Sequence, residues 1–445
     1  MTDTIYALAS ARGQSGVAVI RVSGEHALEG YTLLSGHESA SNRSINLCEL
    51  KRNVSRETLD QGLVLIFNEP HSYTGEDVVE YQVHGGRAVV DGMLEALSEL
   101  PGHRLAEPGE FTRRAFENGK MDLTEAESVA DLIHAETSLQ KQQALLQMGG
   151  VLYDLYTDWS DKLTKILAYV EAELEFPDED MPENILESIT PKIIALRDSI
   201  TLHLNDNRRG ERLRDGVRVA IIGAPNAGKS SLVNALAQRD VAIVSDIAGT
   251  TRDVIDVNLD IGGYPVILSD TAGLRPEQLG GGDQDIIEYE GIKRALAVAE
   301  QADIRVIVYD GTSDVLDQHS LKLEAKSNTL AVVNKIDETV LLSHPGVPIH
   351  VSVRENKGID IFLDSLQEMV ETLFGVQEMP SLTRQRHRDA LERCQDGLSR
   401  CLNAQLPELA AEDIRLALRD LGRITGVVDV EDLLDVVFRD FCIGK

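Results

Sequence analysis

One stretch, "VRVAIIGAPNAGKSSLVNALA" from Val217 to Ala237, constrains the fold more than any other. It opens as an apolar, β-branched strand and ends as the helical run "SLVNALA". Between the two lies "GAPNAGKS", Gly223 to Ser230, which has the spacing of a P-loop in the strand–loop–helix context that loop requires. Gly223 and Gly228 let the backbone wrap a phosphate chain, so that N–H groups and the helix N-terminus face the anion. Lys229 places a cation on the β- and γ-phosphates, and Ser230 offers a hydroxyl to Mg²⁺.

Further strand signals follow in alternation with helices: "YPVILSD", "DIRVIVYD", "TLAVVNK" and "PIHVSV". This pattern predicts a mostly parallel sheet covered by helices across residues 213–377. Guanine specificity is written after the fourth strand signal, in "NKID", Asn334 to Asp337. There Asp337 can accept hydrogen bonds from the N1–H and 2-amino groups of guanine, which adenine does not present. "VSVR" supplies Ser352, Val353 and Arg354 as the last base-contacting loop; Val353 stands where alanine is usual, and a backbone N–H contact survives that change. "GTTRD" offers Thr251 to complete the Mg²⁺ shell, and Asp270 would hold the metal through water. The nucleotide-binding set is then Asn226, Ala227, Gly228, Lys229, Ser230, Ser231, Ser245, Asp246, Ile247, Ala248, Gly249, Thr250, Thr251, Asp270, Thr271, Ala272, Gly273, Asn334, Lys335, Asp337, Ser352, Val353 and Arg354. After "DTAG" a Ras-type enzyme places the glutamine that orients the attacking water. Here the position is Leu274, which neither donates nor accepts a hydrogen bond.

The flanks read differently. Residues 1–118 mix short strands ("GVAVIRV", "GLVLIF", "DVVEYQV") with the helix "RAVVDGMLEALSEL", as an α+β domain does. Residues 119–212 are helical: Val151, Leu155, Trp159, Leu163, Leu167, Val170 and Leu174 step by threes and fours, and the segment ends in a charged linker, "NDNRRGERLRDG". Residues 378–445 are helical again, with Cys394 and Cys401 on one core-facing side. The economical architecture is a multidomain α/β chain: an N-terminal α+β domain, then one helical domain split in sequence, with a Ras-like P-loop domain inserted.

Lys and Arg total 43 against 74 Asp and Glu, a net charge of −31. That disfavours a chain that coats itself with nucleic acid, though a basic partner could carry RNA contacts. Four scattered cysteines fit neither a disulfide framework nor a CxxC metal site. There is no signal-peptide pattern at the start and no apolar run near the roughly 18 residues of a membrane span. The expectation is a soluble, cytoplasmic protein with no membrane contact.

"GAPNAGKSSLVNAL", "DIAGTTRDV", "DTAGLR" and the terminal "FCIGK", with the amino-terminal "YTGEDVVEYQVHGG" and "PGEFTRRAFENGKMDLTEAE", together resemble the MnmE (TrmE) family of tRNA-modification GTPases over essentially the whole chain. The G motifs are shared by many GTPases; the amino-terminal motifs and "CIGK" are specific to this family. The resemblance implies that a potassium ion and a switch-II glutamate replace the missing glutamine when two G domains meet in a homodimer. Potassium ligands would be Asn226, Ser245, Ile247 and Thr250; Mg²⁺ ligands Ser230 and Thr251. The glutamate matches Glu288, with Glu290 and Glu277 as competitors because "PEQLGGGDQDII" is longer than the family's segment. The amino-terminal domain would bind a reduced folate (5-formyl- or methylene-tetrahydrofolate) through Arg21, Glu80 and Lys120, with Lys445 reaching it from the tail, and would hold much of the dimer interface. Cys442 would be a nucleophile toward C6 of a uracil ring, or else a small apolar residue at a helix end. The partner implied is an MnmG-type flavoprotein, bringing FAD, in a heterotetramer or larger assembly that acts on C5 of the wobble uridine (U34) of certain tRNAs. A ribosome-assembly GTPase would need a basic RNA-binding appendage, and neither flank offers one. The other competing class is a folate-dependent one-carbon transferase with a regulatory G domain.

Overall fold

The computed structural model describes residues 3–38, 44–175, 185–239, 241–243, 256–270, 298, 300–375, 380–428, 431–439 and 441–445. The chain divides into two compact units. One is built from residues 1–130, 147–176 and 411–445, the other from 131–146 and 177–410.

The first unit holds a six-stranded sheet of β1 (Thr4–Leu8), β2 (Ser15–Ser23), β3 (Ser44–Lys51), β4 (Thr58–Phe67), β5 (Val78–Gly85) and β6 (His103–Leu105), in the order β3-β4-β5-β2-β1-β6. Only β1 and β6 run parallel. The strands read from sequence are β2, β4 and β5. Helices Ala27–Ser35 and Arg87–Ser98 cover one face, where Tyr31, Leu34, Met93 and Leu97 pack on Ile20, Val64, Ile66 and Tyr81. The opposite face is unlike it from end to end. Directly opposed residues share a face, so the register Ile45–Leu65–Glu80–Arg21–Ala7 is one row across five strands. At the β1 end this row meets a small core of Ile5, Ala7, Ala106 and Phe111. At the β3 end Ile45, Leu47 and Leu63 stand exposed.

The long helix Val151–Glu175 forms where the apolar periodicity lies, but its buried stripe is Leu152, Tyr156, Trp159, Leu163, Ile166 and Val170. Val151 is exposed, and Leu155 and Leu167 are only half-buried. Stepping by fours advances 40° per step on a helix of 100° per residue, so Val151, Leu155 and Leu167 drift off the face; alternating fours and threes stays on it.

In the second unit, β7 (Val217–Ile222), β8 (Asp256–Ile261), β9 (Tyr264–Asp270), β10 (Ile304–Asp310), β11 (Thr329–Asn334) and β12 (Ile349–His350) form a sheet in the order β12-β11-β10-β7-β9-β8. All pairings are parallel except β8 with β9, a hairpin closed at Gly262 and Gly263. Its core combines Val219, Ile221, Val306 and Val332 with Leu232 and Leu236 of helix Lys229–Ala237 and Phe362 and Leu366 of helix Ile359–Phe374. Helices Ile185–Leu204 and Gln385–Leu402 pack on each other in the same unit, with Cys394 and Cys401 buried as expected.

The charged linker is more structured than its composition suggests. Residues Arg209–Asp215 are helical, with Gly210, Glu211 and Leu213 buried. Glu211 is held inside because Arg388 donates to it at 2.7 Å. Among the described residues no helix is long and apolar enough to cross a membrane.

Candidate functional site: a phosphate loop beside a base-reading loop

The loop after β7 is fixed by sterics on both sides. A Cβ on Gly223 (φ 154°) would collide with the carbonyl of Val308, and one on Gly228 (φ 94°) with Nδ2 of Asn334. Asn226, exposed at the loop crest, has φ 65°, a left-handed conformation that asparagine tolerates better than most residues. Gly228 then opens helix Lys229–Ala237 with no side-chain cap, which leaves the helix N-terminus facing the cavity.

Lys229 is almost wholly buried, and its ammonium donates to the carbonyls of Gly223 (2.8 Å) and Ala224 (2.9 Å). Burial lowers its pKa, and the nearby Asp270 carboxylate opposes that shift. The amine is thus tethered inside the loop whose phosphate it would meet.

A cavity of about 660 Å³ joins this loop to the ends of β11 and β12. From the phosphate side it is lined by Pro225, Asn226, Gly228, Lys229, Ser230 and Ser231, and from the other by Asn334, Lys335, Asp337, Glu338, Val353 and Arg354. Asn334 donates to Ala227 O at 3.0 Å and accepts from Val353 N–H at 3.3 Å. Lys335 (φ 65°) pairs with Asp310 at 2.6 Å. Burial alone would raise the Asp310 pKa; the bonds from Lys335 and Thr312 more than offset it and hold the carboxyl low. Ser352 donates to Asp337 at 2.6 Å, the largest cause of that carboxyl's lowered pKa. The candidates Ser245, Asp246, Ile247, Ala248, Gly249, Thr250, Thr251, Thr271, Ala272, Gly273 and Glu288 lie outside the described residues, as do Leu274, Glu277 and Glu290.

In the first unit, Arg21 and Glu80 are directly opposed on β2 and β5 and pair at 2.8 Å. The Arg21 guanidinium lies over the rings of Tyr73 (5.0 Å) and Phe111 (5.7 Å). Both aromatics lie inside the family-like motifs, yet the sequence reading passed over them. The tail is laced onto the same unit: Ile443 bridges Pro108, and Gly444 (φ 99°) has no room for a Cβ against the Leu8 carbonyl. Two motifs more than 300 residues apart therefore meet. Lys445 is half-buried, and its pKa is lowered by burial and then by the Arg21 charge, with Glu80 and Cys442 opposing. Lys445 is thus within electrostatic reach of Arg21, Glu80 and Cys442. Lys120 donates to the Pro70 carbonyl at 2.8 Å. Cys442 is exposed.

A mostly parallel sheet with a glycine loop, a buried lysine at a helix N-terminus and an Asn-Lys-x-Asp turn across one cavity defines a P-loop GTP-binding protein. Residues 123–442 match the model described as the MnmE helical domain, and residues 4–120 match that of the GTP-binding protein TrmE N-terminus. Curated relatives named tRNA modification GTPase MnmE align over the whole of both chains: 52% identical in Parvibaculum lavamentivorans, 48% in Paramagnetospirillum magneticum and 45% in Rickettsia bellii. The chain belongs to the MnmE family of GTPases.

Proposed function

We propose that this chain is a potassium-activated GTP hydrolase that works as a homodimer with an MnmG-type flavoprotein, which brings the FAD. Together they modify C5 of the wobble uridine of certain tRNAs to the aminomethyl or carboxymethylaminomethyl form, in the cytoplasm. The observation that carries the reading is that one chain combines the guanine-type cavity with the Arg21–Glu80–Lys445 cluster. The split helical domain with an inserted G domain belongs to the same proposal.

In the G domain, Lys229 leaves the loop carbonyls for the β- and γ-phosphates, Asp337 reads the guanine edge, and Asn334 holds the two loops in register. Mg²⁺ suits the hydroxyl of Ser230, which lines the cavity, and Asp270, buried beside Lys229; Thr251 completes that set. Potassium suits the exposed amide of Asn226, with Ser245, Ile247 and Thr250. Its chemistry when bound is to neutralise charge between the phosphates, the task of an arginine finger elsewhere. Glu288 orients the water.

The first unit suits a reduced folate by its donor set. Tyr73 and Phe111 offer flat apolar surface, Glu80 an acceptor for paired N–H groups, Arg21 and Lys445 cations, and Lys120 a further one. When bound, folate supplies the one-carbon unit. The exposed Ile45, Leu47 and Leu63 on the same face supply apolar area for the dimer contact. With −31 net charge, the partner carries most of the tRNA contacts.

The test is GTP turnover in KCl against NaCl at equal ionic strength, with Glu288→Ala alongside. Turnover at least about tenfold faster in KCl and lost in Glu288→Ala is expected. Equal turnover in the two salts would sink the potassium mechanism.

A further inference from the structure

The nucleotide cavity lies beyond the C-terminal ends of β7 and β11, and a second cavity, of about 570 Å³, opens at the starts of β10 and β11. The turn that precedes helix Arg209–Asp215 forms its other wall. β10 is seven residues long, which at about 3.3 Å per residue sets the two cavities roughly 20 Å apart. We propose that this second cavity is a phosphate site, which takes the oxyanion of an RNA backbone or of a small phosphate compound. The inference stands apart from the function proposed above and concerns a surface that reading leaves unused.

The cations of the cavity are all arginines. Arg208, Arg212, Arg305 and Arg388 line it, with Asp303 as the carboxylate among the lining residues. In a chain of net charge −31 that concentration runs against the composition. Arg388, more than nine-tenths buried, is engaged by Asp206 and Glu211, both at 2.7 Å. Arg212 pairs with Asp303 at 2.9 Å, and Asp303 also accepts from the Arg218 N–H. Arg208 reaches Glu211 at 3.5 Å, a carboxylate that Arg388 holds more closely, and its side chain is 53% exposed. Arg209, next along the chain, donates to the Gly375 carbonyl at 3.5 Å, and its buried Nε has no partner among the described residues. Arg208, Arg209, Arg212 and Arg388 thus share Asp206, Glu211 and Asp303 among the described residues. One positive charge is in excess before Arg305 is counted.

Guanidinium forks bind phosphate oxygens two at a time, which a lysine cannot do. A carboxylate ligand presents two oxygens and is satisfied by one fork. A phosphate presents more, and can be shared between Arg208 on the turn and Arg305 on β10. Ser327 and Asn328, before β11, and Asn205, on the turn, add neutral donors. The backbone of the turn makes the same point. Asn207 and Arg208 are consecutive left-handed residues, with φ 54° and 56°. Asparagine tolerates that region, and Asn207 uses its amide to donate to the Leu373 carbonyl at 3.3 Å. An arginine is strained there, where glycine or a second asparagine would hold the turn more easily. What the arginine adds is its head group at the cavity wall.

Pyrophosphate titrated into the GDP-loaded full chain, followed by calorimetry at low salt, tests the site with the nucleotide cavity already filled. Arg208→Asn keeps the left-handed turn, so its melting temperature should equal or exceed the parent's, while its affinity for pyrophosphate falls at least about fivefold. Arg305→Gln should weaken binding by a similar factor. Lys162→Gln, which removes an exposed charge in the other unit, should leave it within about twofold. Parent-like affinity in both arginine variants overturns the proposal, as does the absence of saturable binding to the parent. Binding of tRNA in the presence of the flavoprotein, measured from about 50 to 200 mM KCl, tells the two sources apart. Each backbone phosphate contact contributes about 0.9 to the slope of log affinity against log salt, so a drop of that size in Arg208→Asn supports an RNA phosphate. An unchanged slope together with weakened pyrophosphate binding supports a free phosphate compound and overturns the RNA source. A parent complex that binds no tRNA sinks the tRNA reading and leaves the pyrophosphate result standing.

Discussion

Asn334 donates from Nδ2 to the carbonyl of Ala227 at 3.0 Å, so a base-side residue is bolted to the phosphate loop 107 positions earlier in the chain. Its Oδ1 accepts from Val353 N–H. One side chain therefore sets the spacing between the two ends of the nucleotide cavity. Asn334→Ala removes both bonds and opens space where Gly228 now packs. Two hydrogen bonds of about 1 kcal/mol each predict a loss of roughly 10- to 30-fold in affinity. GTP and GDP should weaken equally, because neither bond involves the γ-phosphate. Titration of fluorescent GDP and of a non-hydrolysable GTP analogue checks it; a loss confined to the triphosphate would mean Asn334 acts through Lys229 instead.

Asp337 carries the base selectivity, and Ser352 aims it. The Ser352 hydroxyl occupies one carboxylate oxygen at 2.6 Å and leaves the other side for guanine. Asp337→Asn exchanges an acceptor for a donor. Xanthine has a carbonyl where guanine has its 2-amino group, so the variant should prefer xanthosine diphosphate over GDP. Ser352→Ala keeps guanine specificity and weakens GDP several-fold, in line with about 1 kcal/mol for one bond. Competition between the two nucleotides for each variant gives the answer directly.

The phosphate loop, NKID and the parallel strands were legible because each is local: a fixed spacing of glycines and a lysine, or a continuous β-branched run. The misses have equally physical causes. β8 has alternating Val257, Leu259 and Ile261 before Gly262 and Gly263, a hairpin signal hidden beside the stronger strand β9. β3 exposes Ile45 and Leu47 at the sheet edge and so lacks the polar-out alternation that marks a half-buried strand. The helix in the charged linker is invisible locally because its stabilising partner, Arg388, lies about 180 residues away. In the first unit, Arg21 and Glu80 stand 59 positions apart, and it is the pairing of β2 with β5 that sets them opposite one another.

His203 gives the second unit a pH dependence with a definite sign. Burial in helix Ile185–Leu204 lowers its pKa from 6.5 to about 4, with Asp206 opposing and Arg388 reinforcing the shift. The folded state then binds fewer protons than the unfolded chain between pH 6.5 and 4. Stability from this group is full above pH 6.5 and is lost as pH falls toward 4, by a total on the order of 3 kcal/mol. His203→Gln should flatten that part of the profile. Thermal unfolding of parent and variant at pH 7.5 and 5 tests it, and an equal drop in both would acquit His203.

Arg388 should be among the most sensitive positions in the same unit. It is buried, and it donates to Glu211 (2.7 Å), Asp206 (2.7 Å) and the carbonyl of Leu204 (2.7 Å). Arg388→Ala takes the guanidinium from Asp206 and leaves Glu211, among the described residues, with only the more exposed Arg208 at 3.5 Å. Removing one partner of a buried ion pair costs about 3–5 kcal/mol, far more than the pair contributes relative to apolar replacements. The variant should therefore unfold at markedly lower urea. Arg388→Met combined with Glu211→Gln and Asp206→Asn removes the charges together and should recover most of the loss. If Arg388→Ala costs no more than an exposed substitution, about 0.5 kcal/mol, the carboxylates are solvated and the linker helix is not anchored by this pair.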